Sequence, residues 1–397
     1  MKADPRQKEV ARRFRKLTGA FLALVFTGIS AWSAQAETRT FTDIAGRKVE
    51  FSLPVERVLI GEARQMSVVA ALKGKEAFDR VVGWRNDLLL KDADTYAAYL
   101  KVFPHIAGLP QFGYIPSGTF DLEAAIALRP DILTLNLEAY RPAVENGLIQ
   151  KAEAAGIAVV VLDFRIDADR NTEPSIALLG DIFGAEKKAS EFIAYRRAQL
   201  ARVEDTLAKA KPEKPLVFIE RAPGISGDIE CCRTFGAVNF GEMIERAGGE
   251  NLGSQYLGEK FGSLNPELLV AANPDHVVVT GSNWAQESDI HRFVNVGPSA
   301  DMAEARKSLA ALMDRPAFRN LQAVSRGHVH AIWHQFYGTP FDFVAIQKFA
   351  AWFHPDLFPD LDANATFREM YERFMPFAYE PGYFISLDTV IDHDGRQ

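Results

Sequence analysis

At 397 residues, with 48% hydrophobic and 24% charged side chains, the chain is long enough for two domains. Its composition is that of a globular protein and excludes a disordered or membrane-embedded one. The formal net charge of −7 argues against nucleic acid as a partner, because phosphate binding needs a basic surface.

Residues 1–36 differ in character from the rest of the chain. Arg12, Arg13, Arg15 and Lys16 precede the apolar run Leu17 to Trp32, which leads into Ser33-Ala34-Gln35-Ala36. A basic segment, an apolar core and an Ala-x-Ala ending read as a secretory signal peptide, with cleavage expected after Ala36. The core holds Thr18, Gly19, Thr27, Gly28 and Ser30 and falls short of a membrane span. Cleavage would remove seven basic and two acidic side chains and take the charge from −7 to about −12. Arg12-Arg13 leaves both the general and the twin-arginine export routes open.

Beyond the leader, strands are expected at Arg57–Gly61, Arg80–Trp84, Ile132–Asn136 and Ala158–Asp163. Helices are expected between them at Met66–Lys73, Leu122–Leu128 and Ala143–Ala155. This alternation predicts βαβ units around a mostly parallel sheet. The segment Ala185 to Lys211 has no Gly or Pro and repeats apolar residues at helical spacing, which predicts one long connecting helix. The α/β rhythm then restarts, with strands at Leu216–Glu220 and Val329–Trp333 and helices at Phe240–Ala247, Ala317–Val324, Phe341–Phe353 and Ala365–Phe374. The tail Asp392–Gln397 is polar and expected to fray.

One phrase occurs twice, Gly118 to Asp131 and Gly262 to Asp275, offset by 144 positions. In each copy an N-cap (Asp121, Asn265) starts a short apolar helix, a Pro-Asp pair ends it, and a buried strand comes next. Pro266 occupies the first helical position of the second copy. A helix–turn–strand unit used once on each side of a long helix predicts two α/β lobes with mostly parallel sheets. The boundaries are then 37–183 for the N-lobe, 184–211 for the connecting helix and 212–397 for the C-lobe.

In parallel α/β sheets, ligands sit outside the carboxyl ends of the strands. The candidates there are Arg64, Arg85, Tyr114, Arg221, Trp284, His334 and Tyr337. Glu62, Glu138 and Arg165 also follow strands, although Asp163, Asp167 and Asp169 could pair with Arg165 locally. Arginine suits hydroxamate, carboxylate or catecholate oxygens through its planar fork of donors. Tyrosine and tryptophan offer flat apolar faces with a polar rim. His105, His328, His330 and His334 are too scattered for a tetrahedral zinc site, and no metal site is expected. Tyr114 or His334 could serve a haem as axial ligand. Cys231 and Cys232 are adjacent, which leaves open a vicinal disulfide, two free thiols or a metal contact. A secreted hydrolase would need a nucleophile elbow, and no Gly-x-Ser-x-Gly is present. No catalytic residue is therefore assigned.

An ordered series of segments now stands out: Phe41-Thr42-Asp43-Ile44-Ala45-Gly46-Arg47, Pro54-Val55-Glu56-Arg57-Val58, Val81-Val82-Gly83-Trp84, the two Pro-Asp phrases, Ala247-Gly248-Gly249-Glu250-Asn251-Leu252 and Gly327-His328-Val329-His330-Ala331-Ile332-Trp333. The order and spacing resemble the periplasmic substrate-binding proteins of iron–siderophore, haem and cobalamin ABC importers. The resemblance covers roughly residues 40–390 and implies two lobes joined by one long helix. It implies a monomer, without resident cofactor, holding an iron chelate between the lobes, with haem or cobalamin as alternatives. It further implies delivery to an inner-membrane ABC permease, docked through an acidic side chain on each lobe. Glu242 matches that position on the C-lobe. On the N-lobe the sequence departs from the pattern: Gln65-Met66-Ser67 stands there, and the nearest acid is Glu62.

Overall fold

Fourteen short strands, most of them apolar runs bounded by Gly, Pro or Asp, organise the computed structural model, which describes residues 37–225, 231–284 and 293–387. The expected leader (1–36) and the polar tail (392–397) lie outside the described residues. The described residues begin with a hairpin, β1 (Glu37–Thr42) and β2 (Lys48–Leu53), pinned by a stacked Phe41–Phe51 pair. The first sheet comes next, formed by β3 (Val58–Ile60), β4 (Val81–Arg85), β5 (Gln111–Phe112), β6 (Ile132–Asn136) and β7 (Ala158–Leu162). Its spatial order is β5-β4-β3-β6-β7, and every pairing in it is parallel. β6 is buried along its whole length, Thr134 and Asn136 included, as befits a strand covered on both faces.

The helix Glu186–Ala210 leaves this sheet for the second. At 1.5 Å per residue it spans about 38 Å. Phe192, Tyr195, Arg196, Leu200 and Val203 bury one face of it. Arg196 is 2% exposed and forms a bidentate pair with Asp342, at 2.6 and 3.1 Å, which fastens the connector to the helix Asp342–Phe353.

Beyond it stand β8 (Leu216–Glu220), β9 (Arg233–Phe235), β10 (Glu250–Asn251), β11 (Phe261–Ser263), β12 (His276–Gly281), β13 (Val329–Trp333) and β14 (Phe384–Leu387). The second sheet has the order β10-β8-β12-β13-β14, parallel except for β14, while β9 and β11 form a separate antiparallel pair. The duplicated phrase forms what its residues dictate. Asp121 accepts from Ala124 N ahead of the helix Leu122–Ala127, and Asn265 accepts from Glu267 N ahead of Pro266–Ala272. β6 and β12 follow these helices and occupy interior positions in their sheets.

Several expected elements shift. The helix Ala143–Ala155 is two helices, Leu137–Glu145 and Leu148–Ala154, because Gly147 takes a left-handed conformation (φ 71°) between them. Ala317–Val324 shrinks to Gln322–Ser325. Helices also form at Asp87–Lys91, Ala93–Val102, Ala168–Phe183 and Met302–Met313. The C-terminal segment straddles both lobes. Tyr195 donates to Thr366 O at 3.0 Å, and Phe377 packs edge-on against Tyr99 of the N-lobe at 5.2 Å.

Candidate functional site

All seven candidate contacts line one cavity of about 580 Å³ between the lobes. Strand direction brings them there. Arg64 follows β3, Arg85 ends β4, Tyr114 follows β5, Arg221 follows β8, Trp284 follows β12, and His334 and Tyr337 lie in the 3-10 turn after β13. Parallel strands project their carboxyl ends to one side of each sheet, and the two sheets turn those sides toward each other. Gly61 allows the first of these turns, because a Cβ there would overlap the Thr134 carbonyl oxygen.

Charge dominates the wall. Among the described residues, Arg64, Arg85, Lys91, Arg165, Arg221 and Arg233 supply six cationic side chains, against one carboxylate, Glu138. Behind the wall lies Glu62, 2% exposed. It accepts from Arg64 Nη1 at 3.3 Å and from Arg165 Nη2, and its other oxygen is 3.5 Å from Arg85 Nη1. Burial alone would raise the Glu62 carboxyl, but the guanidiniums of Arg165, Arg64 and Arg85 outweigh it and hold the carboxyl below its ordinary range. Its neighbour Asp87 is shifted the other way, by burial and by the Glu62 charge.

Arg165 does not pair with the aspartates beside it in sequence. It reaches Glu62 and, through Nη1 at 2.6 Å, Glu138. Asp163 instead accepts backbone N–H groups of Arg165, Ile166 and Asp167, shaping the turn that aims Arg165 at the cavity. Glu138 also accepts from the Tyr114 hydroxyl at 2.8 Å, and the Arg85 guanidinium stacks 3.9 Å from the Tyr114 ring centroid. Burial and the Glu138 charge push the Tyr114 phenol above its ordinary value.

The C-lobe face is aromatic. Tyr337 meets two N-lobe guanidiniums, Arg64 at 5.3 Å and Arg165 at 5.2 Å from its ring centroid, and its hydroxyl accepts from Arg64 Nη1 at 3.4 Å. Burial would raise this phenol, yet Arg64 and Arg165 prevail and lower it. His334, 6% exposed, has Nδ1 at 2.9 Å from Thr280 Oγ1. Burial and the nearby arginines hold it well below the ordinary histidine value, so it is a neutral imidazole at pH 7. Trp284 is 1% exposed and packs edge-on against His334 at 5.4 Å, so it serves mainly as a packed backing for that ring. Arg221 lies over Phe261 at 4.8 Å, and no carboxylate pairs with it among the described residues. Burial, Arg233 and Arg165 all lower its pKa.

Of the polar residues that line the cavity, five stand outside the seven candidates: Lys91, Glu138, Arg165, Arg233 and Gln335. Glu138, Arg165 and Gln335 stand at strand ends, where the strand-end rule points. Arg233 opens β9 just after the cysteine pair, and Lys91 ends a short helix, so neither carries a local signal. The sulfur atoms of Cys231 and Cys232 lie against each other. Glu242 sits half-buried in the first turn of the helix Phe240–Arg246, and its carboxyl is pushed up to about 7 by burial and by the charges of Asp342, Asp169 and Asp167. Arg246, one turn on, bridges to Asp169 at 2.9 Å and Glu204 at 2.6 Å. On the N-lobe, Glu62 is enclosed by arginines, and the helix Met66–Lys73 is buried up to Leu72. Neither offers an acid to an outside partner. Among the described residues no group of three or more His, Cys, Asp or Glu could hold a metal ion. His276, His328 and His330 instead stack at the far end of β12 and β13.

Comparison with known proteins agrees with this architecture. The sequence pattern of a family described as periplasmic binding protein matches residues 110–334, more than half of the chain. A solved TroA-like periplasmic binding protein, FepB from Veillonella parvula, superposes with a TM-score of 0.80 at 27% identity, covering 88% of this chain and 99% of that one. An uncharacterized ABC transporter substrate-binding lipoprotein of Bacillus subtilis, YvrC, is 26% identical over 235 residues, 55% of this chain and 67% of its own length. The molybdate-binding protein MolA of Haemophilus influenzae is 20% identical over 393 residues, 92% of this chain and 98% of its own. Among the described residues, no helix is long and apolar enough to cross a membrane.

Proposed function

The chain belongs to the periplasmic binding protein family of ABC importers, a family of transport binding proteins and not of enzymes, and on that premise we propose that it captures a ferric siderophore-type chelate and delivers it to an inner-membrane permease. One observation carries the reading: among the described residues, six cationic side chains and one carboxylate line a cavity of about 580 Å³ that also presents Tyr114, Tyr337 and His334. A cavity of that size fits a drug-sized ligand. Six cations call for a polyanion, which favours a ferric catecholate or carboxylate complex over a neutral hydroxamate. The iron arrives as part of the ligand, and no resident cofactor takes part. Capture needs only closure of the lobes about the helix Glu186–Ala210, with aromatic packing and charge-assisted hydrogen bonds holding the chelate. The protein acts as an exported monomer, cleaved after Ala36, and Glu242 contributes the C-lobe contact to the permease.

Likeness to MolA raises molybdate as a second ligand. The cavity speaks against it, being far larger than a single tetrahedral oxyanion. Haem would find a neutral imidazole in His334, but the Tyr114 phenol, tied to Glu138, resists ionisation and makes a poor axial ligand. Cobalamin would leave much of the cationic wall unanswered. The test is a tryptophan-quenching titration of the purified protein with ferric catecholate, ferric hydroxamate, haem, cobalamin and molybdate. Ferric catecholate is expected to bind at micromolar concentration or tighter. If none of the iron complexes binds below the millimolar range, the reading is refuted.

A further inference from the structure

Three arginines from three different strand ends converge on one carboxylate that does not itself line the cavity. Glu62 leaves β3 at its carboxyl end, and Arg64 follows two residues later, Arg85 ends β4, and Arg165 follows β7. Left alone, three guanidiniums in one patch repel one another and swing apart. Glu62 removes that freedom. Its Oε1 takes Arg165 Nη2 and, at 3.3 Å, Arg64 Nη1, while its Oε2 faces Arg85 Nη1 at 3.5 Å. Each guanidinium carries five N–H donors, so a carboxylate behind the wall consumes one edge and leaves others turned to the cavity. Glu62 Oε2 has no hydrogen-bond partner within the described residues, so Arg85 is held there by charge alone.

We propose that Glu62 is a positioning residue: a buried counter-charge that aims Arg64, Arg85 and Arg165 at an anionic ligand before that ligand arrives. The proposal rests on the reading of the cavity as an anion site. It has a kinetic signature. Holding the arginines in place lowers the ordering cost of binding, which acts chiefly on the dissociation rate. The Glu62 charge itself opposes an incoming anion, so its removal leaves the association rate equal or higher. A Glu62 that served stability alone would affect neither rate in this pattern.

The experiment compares wild type, Glu62→Gln and Glu62→Asp by stopped-flow fluorescence, with a ferric tris-catecholate complex as probe. The expected result for Glu62→Gln is a dissociation rate raised about tenfold or more with an association rate not reduced, because affinity changes within one interface fall mostly on dissociation. Glu62→Asp is expected to recover part of the loss. An unchanged dissociation rate, or tighter binding in step with the added positive charge, overturns the proposal. Should Glu62→Gln fail to fold, Glu62→Asp, which keeps the charge but shortens its reach to the three arginines, is expected to raise dissociation by a smaller factor, and no change there also overturns it. Arginine Nη resonances of the ligand-free protein give a separate readout. They are expected to show hindered rotation in wild type and to broaden in the Glu62 variant. If wild type binds no ferric chelate, the transport reading fails, while these resonances still decide the role of Glu62.

Discussion

Arg221→Met isolates a cavity arginine whose removal orphans no acid among the described residues. Arg64, Arg85 and Arg165 are all tied to Glu62, so their loss would expose a buried carboxylate. Arg221 stands clear of that cluster, and burial together with Arg233 and Arg165 already depresses its pKa. Methionine keeps the aliphatic cover over Phe261, which lies 4.8 Å below the guanidinium. The two observables should therefore separate. In an effective dielectric of about 20, a unit charge at about 4 Å from an anion gains about 4 kcal/mol, before desolvation is subtracted. A charged hydrogen bond nets about 1.5–3 kcal/mol, so affinity for a polyanionic chelate should fall roughly 10- to 150-fold. Folding stability should hold or rise, since a half-buried cation with no carboxylate partner among the described residues costs free energy in the empty protein. Titration calorimetry with the ferric tris-catecholate and thermal unfolding of the free protein measure the two. Unchanged affinity, or a melting temperature lowered by several degrees, would refute the reasoning.

Buried groups elsewhere give three further outcomes. Burial raises the carboxyl of Asp92 to about 7, so the folded protein binds a proton there that the unfolded chain has lost, and this group makes stability decline as pH rises from about 4 to 7. Asp92→Asn retains an N-cap side chain for the helix Ala93–Val102 and should raise the melting temperature at pH 8 but not at pH 4; equal shifts at both would count against it. His276 is depressed to about 4 and His330 well below its ordinary value, both by burial first, so the unfolded chain takes up protons that the folded one refuses. Stability should therefore fall as pH drops from about 6.5 to 4, and His276→Gln should flatten that limb in urea titrations. Arg196→Met strands Asp342 at 2% exposure and should cost about 3–5 kcal/mol in chemical denaturation, as for other broken buried pairs. A loss under about 1 kcal/mol would mean that the connecting helix is held by its apolar face alone.

Much of the site was legible because one rule is topological and local at once. Chain order places a candidate after each strand, and parallel sheets deliver those positions to a common edge. Partners were not legible. Arg165 has three aspartates within four residues, yet its guanidinium goes to Glu62, 103 positions away, because Asp163 is occupied by backbone N–H groups of the turn. Glu62 likewise stands where an exposed docking acid would be sought, and proves to be buried among three arginines. Helix Ala168–Phe183 escaped because Pro174 and Gly180 punctuate its pattern, and packing against the connecting helix overrides them.

The sequence by itself determined the duplicated capped helices, the interior strands that come after them, the long connector and the chemical kind of residue at each strand end. These depend on capping hydrogen bonds, Pro and Gly geometry and apolar periodicity, all of which act over a few neighbouring residues. Only the tertiary structure decided that six cations would share one wall, that Glu62 would sit behind it, and that Arg221 would stand apart from every acid described. Charge pairing depends on distance in space and on burial, and neither is written in the spacing of residues along the chain.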